Sequence, residues 1–148
     1  MRFFLLLLVM FMLPKNLKCQ EITKQDLARI DSAKALINRI GGVYSENLSE
    51  YCNQITTWGG PYASCYADRG KKGTIYLTEV DIKYGDVENI AAAIVHESMH
   101  LKFFHEDNHP DEEEKICYEY ELEFLLKVPN VEPWLLDNAH KMIIFYSK

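Results

Sequence analysis

The chain of 148 residues is short of long apolar runs. Phe3 to Leu13 is an uncharged run of 11 residues, against the roughly 20 needed to span a bilayer. It follows Met1-Arg2 and is broken by Pro14, the layout of an export signal. Cleavage is expected near Cys19, which divides the chain into a signal segment, 1–19, and one domain, 20–148. Lys18 disfavours a lipid anchor at Cys19, because such sites carry a small neutral residue there. A secreted or periplasmic protein without stable membrane insertion is expected. Basic residues are also sparse. Once residues 1–19 are removed, 13 Lys and Arg face 22 Asp and Glu, a formal charge of −9. With no basic cluster, nucleic acid and anionic membrane are poor partners.

Cys-x-x-Cys is absent, which disfavours a metal site built from cysteines alone. Past residue 19 there are Cys52, Cys65 and Cys117. In an oxidising compartment Cys52 and Cys65 are expected to form a disulfide across the turn-rich "NQITTWGGPYAS". Cys117, in an apolar stretch, is expected to stay reduced and buried. No internal repeat or low-complexity tract appears.

What is present is mostly helical periodicity. "TKQDLARIDSAKALINRIGG" predicts a helix capped by Thr23, with Leu27, Ile30, Ala33, Ile37 and Ile40 on one face and Gly41-Gly42 as its stop. Residues 43–73 read as turn-rich, and Asn47-Leu48-Ser49 is a glycosylation sequon. "TIYLTEVDI" predicts a strand reaching as far as Ile82, and Tyr84-Gly85-Asp86 a turn. "VENIAAAIVHESMHLKFF" then predicts a long helix. "EEEKICYEYELEFLLK" predicts a second, capped by Asp111, and "PWLLDNAHKMIIFY" a last one opened by Pro133. The fold class expected is α+β, mainly helical, with a small sheet beside the "HESMH" helix.

In "HESMH", His96 and His100 are four residues apart. At about 100° per residue they differ by only about 40° and stack on one helix face, so both imidazoles can reach one metal ion. Glu97 falls beside the metal rather than on it, where a carboxylate can act as general base toward a zinc-activated water. A catalytic zinc needs a third protein ligand and an open position. His105 is about 500° round the helix from His100 and points away, and His109 lies in a loop beside Pro110. A glycine and a third histidine three and six residues after His100, an alternative known pattern, are absent: those positions are Phe103 and Glu106. Glu114, on one face of the next helix with Cys117, Tyr118, Glu121 and Leu125, is the preferred third ligand. Glu113 is the runner-up, and Glu112 and Glu113 otherwise read as a solvated first turn.

"VHESMHLKFF…EEEKICYEYELEFLLKVP" resembles the small zinc metallopeptidases whose H-E-x-x-H helix is followed by an E-x-x-C helix with a further Glu. Here these are Glu114, Cys117 and Glu121. The resemblance covers about residues 74–128. It implies a minimal zincin of gluzincin type in which His96, His100 and Glu114 bind Zn2+, Glu97 is the base, and Glu121 orients a ligand histidine. Tyr118, one turn after Glu114, is the candidate oxyanion donor, ahead of Tyr120 and His140. The strand ending near Val80 would pair with an extended substrate. The expected function is hydrolysis of a peptide or protein substrate. The alternatives are a non-catalytic, zinc-stabilised secreted binding protein with the same ligands, or a metal-free secreted interaction domain.

Overall fold

The structure, a computed structural model, describes residues 22–58, 66–68 and 73–148. The expected signal segment and Cys65, and with Cys65 the expected disulfide, lie outside the described residues. Six helices and three strands occur among those described: α1 (Lys24–Ile40), α2 (Val43–Tyr51), β1 (Gln54–Trp58), β2 (Tyr66–Asp68), β3 (Thr74–Thr78), α3 (Glu79–Tyr84), α4 (Val87–His105), α5 (Glu113–Leu125) and α6 (Pro133–Tyr146). The fold is α+β, mainly helical with a small three-stranded sheet. None of the described helices is long and apolar enough to cross a membrane.

The centre of the molecule is α4. It packs against α1, α2, α5 and the strands β2 and β3. Its buried residues include Ile90, Ala91, Ile94, Val95 and Leu101 and also the polar His96, Glu97, Ser98 and His100. A helix buried on most of its circumference is covered by its neighbours, and its polar side chains must find partners inside. Small Ala91 and Ala92, both buried, let neighbouring elements approach closely.

Around α4, local chemistry fixes the elements. Thr23 and Asp26 form a reciprocal capping box at the start of α1. The buried stripe of α1 is Ile30, Ala33, Leu36 and Ile37. Leu27 is exposed instead, so the face is rotated toward Leu36 from the one predicted. Gly41 and Gly42 both take positive φ, +71° and +60°, which glycine adopts without strain. They turn the chain directly into α2.

That second helix corrects the turn-rich reading of residues 43–73. Only Tyr44 and Leu48, one turn apart, are buried apolar residues in it, and its other positions are mostly polar. Asn47 is buried beside them, 4% exposed. Its amide donates to the Tyr120 hydroxyl at 2.9 Å, so the sequon is closed to a glycan on the folded chain. Cys52 caps the helix end, its thiol donating to the Gln54 carbonyl at 3.5 Å. Burial pushes that thiol up to about 11.

The sheet order is β1-β3-β2, with β1 parallel and β2 antiparallel to β3. The predicted strand stops at Thr78 rather than Ile82. Thr78 is the N-cap of α3, accepting from the Asp81 backbone N–H at 2.9 Å. A Thr-x-x-Asp cap outcompetes strand extension here. The β3 strand is central, paired with β1 along Thr74–Thr78 and with β2 along Thr74–Tyr76, so an added peptide strand cannot pair with it at Thr74–Tyr76. The helix α5 begins at Glu113 with Glu112 at its N-cap and no side-chain cap, so Asp111 does not hold the capping position. The turn bond from Glu113 N–H to the Pro110 carbonyl, 3.1 Å, starts the helix later. Pro133 opens α6 as predicted.

Gly73 leads into β3 at φ +72°, and a Cβ there would collide with the backbone carbonyl of Tyr51. Neither backbone can yield without breaking the Asn53–Gly73 and Gln54–Gly73 hydrogen bonds. Gly73→Ala is therefore expected to destabilise the fold by at least about 2 kcal/mol, a figure typical of strained backbone positions. Thermal denaturation checks this. An unchanged melting temperature would show that the β1–β3 connection is not constrained as described.

Candidate metal centre and catalytic cleft

The site grows from the stacking predicted for α4. His96 and His100 present their Nε2 atoms to each other at 3.3 Å. The turn after α4 brings α5 back against it, and Glu114 then spans both rings. Its Oε2 lies 3.5 Å from His96 Nε2 and its Oε1 3.5 Å from His100 Nε2. Zinc held by nitrogen and oxygen ligands at about 2.0–2.1 Å in a tetrahedron separates its donors by about 3.3 Å. The two histidine nitrogens stand at that spacing, and Glu114 faces the pair with a different carboxylate oxygen toward each ring.

The far side of each ring is also held. His96 Nδ1–H donates to Glu121 Oε2 at 3.1 Å, and His100 Nδ1–H donates to Glu113 Oε1 at 2.6 Å. A carboxylate can only accept, so each ring nitrogen is the donor and each Nε2 faces the common point. This is the outer arrangement that orients histidine ligands in metal sites. Glu121 thus stands where the sequence placed it. Glu113 does not belong to a solvated first turn: its side chain is largely buried against His100.

Electrostatics tie six groups together. Burial pulls His96 down, but Glu114 and Glu121 outweigh it and hold the ring up to about 9. His100 is likewise raised, with burial opposed by Glu114 and Glu113. Their hydrogen bonds from His100 and His96 hold the Glu114 carboxyl well below the usual range. Glu97 moves the other way. Burial raises its pKa, and the two histidines only partly offset this. The Ala67 backbone N–H of β2 donates to its carboxylate, so the sheet touches the site at Glu97.

These groups line a cleft of about 420 Å³. Tyr118 stands in its wall with its ring edge 4.3 Å, centroid to centroid, from His96. Burial and the nearby Glu121 and Glu114 push its phenol up, so it stays a neutral donor. Tyr120 is elsewhere, its hydroxyl donating to the Val43 carbonyl at 3.1 Å. His140 is exposed on α6, its Nδ1 3.3 Å from the Leu136 carbonyl. His105 is exposed and stacks near Tyr51, as its angle on the helix required. His109 comes no nearer than a 3.9 Å approach to Glu113 Oε2.

Sequence reasoning missed three participants besides Glu113. Cys117 is fully buried, and it, His96 and His100 each offer a donor atom within 4.8 Å of the other two. Its position one turn past Glu114 was the signal. Tyr146 and Asn138, from α6, also line the cleft; no local pattern links the last helix to the site.

In the metal-free protein His96 is expected to titrate near 9. Its folded pKa lies above the ordinary 6.5, so its protonation stabilises the fold fully below about pH 6.5. That contribution is lost as pH rises through about 9. NMR titration of the imidazole checks this, and Glu121→Gln should bring the midpoint down. A midpoint at or below 6.5 in the wild type would mean that the carboxylates do not hold the ring.

No family model matches the chain, and no curated protein or solved structure matches it either, so its chemistry has to be argued from its own residues.

Proposed function

We propose that the chain is an exported, zinc-dependent peptidase that hydrolyses peptide bonds in a peptide or protein substrate. The observation that carries this is the approach of His96 Nε2 and His100 Nε2 to 3.3 Å with the Glu114 carboxylate facing both and Glu97 buried beside them. These same residues carry the resemblance to small zinc metallopeptidases of gluzincin type. His96, His100 and Glu114 would hold the ion. Zinc there supplies Lewis acidity, polarising the scissile carbonyl and lowering the pKa of water to about 7.

The remaining work falls to the chain. Glu97 takes a proton from the attacking water as its oxygen adds to the carbonyl carbon. The raised proton affinity that burial gives Glu97 suits a base working near neutrality. As the carbon–nitrogen bond breaks, the same proton passes to the leaving nitrogen, giving a carboxylic acid and an amine. Tyr118, in the lining of the same cleft, would donate to the oxygen on which negative charge develops. Glu113 and Glu121 fix the two imidazoles, so the ligands need no reorganisation on binding.

Glu97→Gln is expected to keep fold and zinc and to lose about 10²–10⁴-fold in kcat/KM, the usual worth of general acid–base assistance. Glu114→Gln should lose zinc itself, since an anionic donor becomes neutral. Elemental analysis combined with a peptide-library digest reads both. Full activity in Glu97→Gln would remove it as the base, and equal zinc in wild type and His100→Ala would remove the site.

Cys117 favours one second reading. If its thiolate closes the fourth position, the ion is structural and the protein a non-catalytic, zinc-stabilised binding protein. Cobalt substitution separates the two. An open site shows no thiolate-to-cobalt charge-transfer band, which is the expected result. A band that disappears in Cys117→Ser would establish the closed, structural centre.

A further inference from the structure

Ala92 and Ala93 line the cleft, four and three residues before His96 and therefore one turn back along the same face of α4. Methyl side chains there leave room that any larger residue would fill. Two tyrosines line the same cleft. Tyr118 sits edge-on to His96, and Tyr146 stacks on Tyr118 with ring centroids 5.8 Å apart and planes 15° from parallel. The row His96–Tyr118–Tyr146 thus runs from the ligands toward solvent as one surface.

Packing between α5 and α6 brings the two tyrosine rings together but does not bury them. Tyr146 remains 38% exposed, and Ile144 and Phe145 just before it are 64% and 63% exposed. Phe145 sets its ring against Tyr146 at 5.0 Å in an edge-to-face contact. Large apolar side chains clustered beside a cleft are characteristic of binding surfaces rather than of solvated helix ends. The carboxylates nearest the row, Glu114 and Glu121, are engaged with the histidines. They would repel an acidic substrate side chain. A stacked aromatic pair that stays partly exposed accepts another ring by offset or edge contact.

We propose that Tyr118 and Tyr146, with Ala92 and Ala93 in the lining of the same cleft, form a subsite for a large apolar side chain, best an aromatic one, of the residue flanking the scissile bond. Tyr146 is the specificity-determining residue, because it lies furthest from the ligands and closes the outer end of the row. This rests on the peptidase reading and names the substrate class that reading leaves open.

Two zinc-directed probes of different side chain test it: phenylalanine hydroxamate and glycine hydroxamate. Their affinities for the zinc-loaded full chain are measured by calorimetry, for wild type, Tyr146→Ala and Tyr146→Phe. The wild type is expected to prefer the phenylalanine probe by about tenfold, the scale of one aromatic contact in addition to apolar burial. In Tyr146→Ala the ratio between the probes should fall toward one, and in Tyr146→Phe it should return. No preference in the wild type, or a Tyr146→Ala variant that keeps the ratio, would overturn the subsite while leaving the peptidase reading intact. Failure of both probes to bind the zinc-loaded wild type would overturn the peptidase reading, and the subsite with it.

Discussion

Two imidazoles buried on the central helix impose a demand that shapes the rest of the molecule. Each ring carries two nitrogens that cannot be left unsatisfied away from water. Their own helix cannot serve them, since its backbone groups are already spent. Beyond the approach of the two rings to each other, their partners come from α5, where Glu113, Glu114 and Glu121 meet the four nitrogens of His96 and His100. The acidic start of α5 is thus a counter-charge for α4 before it is anything else. The chain turn at 106–112 exists in a form that lets that counter-charge arrive in register.

The sheet has a smaller but specific part. It is three strands wide and offers little core of its own beyond Ile75 and Leu77. Its edge strand β2 brings the Ala67 N–H to Glu97, adding a backbone donor to the two histidines that already favour that carboxylate. The groups from α4 and α5 and the backbone of β2 therefore form one unit in which removing any member leaves another without its partner. Such units respond non-additively to mutation, so paired substitutions are more informative than single ones.

Legibility followed the range of the interaction. The stacking of His96 on His100 is a property of one helix and could be read from a spacing of four. The same holds for the placement of Glu114 and Glu121 on one face of α5, and for the Pro133 start of α6. What failed was decided between elements or by competing local bonds. Glu113 reads as a solvated first-turn acid until α4 is packed against it. The helix α2 escaped because two buried apolar residues, Tyr44 and Leu48, are too few to show a period among polar neighbours. Its burial depends on α4. The strand β3 was read too long because the apolar alternation continues past Thr78, while the Thr78–Asp81 cap ends it by a hydrogen bond that hydrophobicity does not register. Tyr146 entered the cleft through the packing of α6 on α5, a contact with no signature in its own segment.

Asn47 bears on how the protein is made. Its amide is sealed against Tyr120 between α2 and α5, yet the unfolded chain displays Asn47-Leu48-Ser49 openly. Oligosaccharide transfer acts on chains that have not yet folded. A sugar attached at that moment would stand where the Tyr120 hydroxyl must go, and α2 could not seat beside α4. In a glycosylating secretory pathway, then, closure of these helices races against modification, and the choice of expression host becomes a determinant of whether the native state is reached at all.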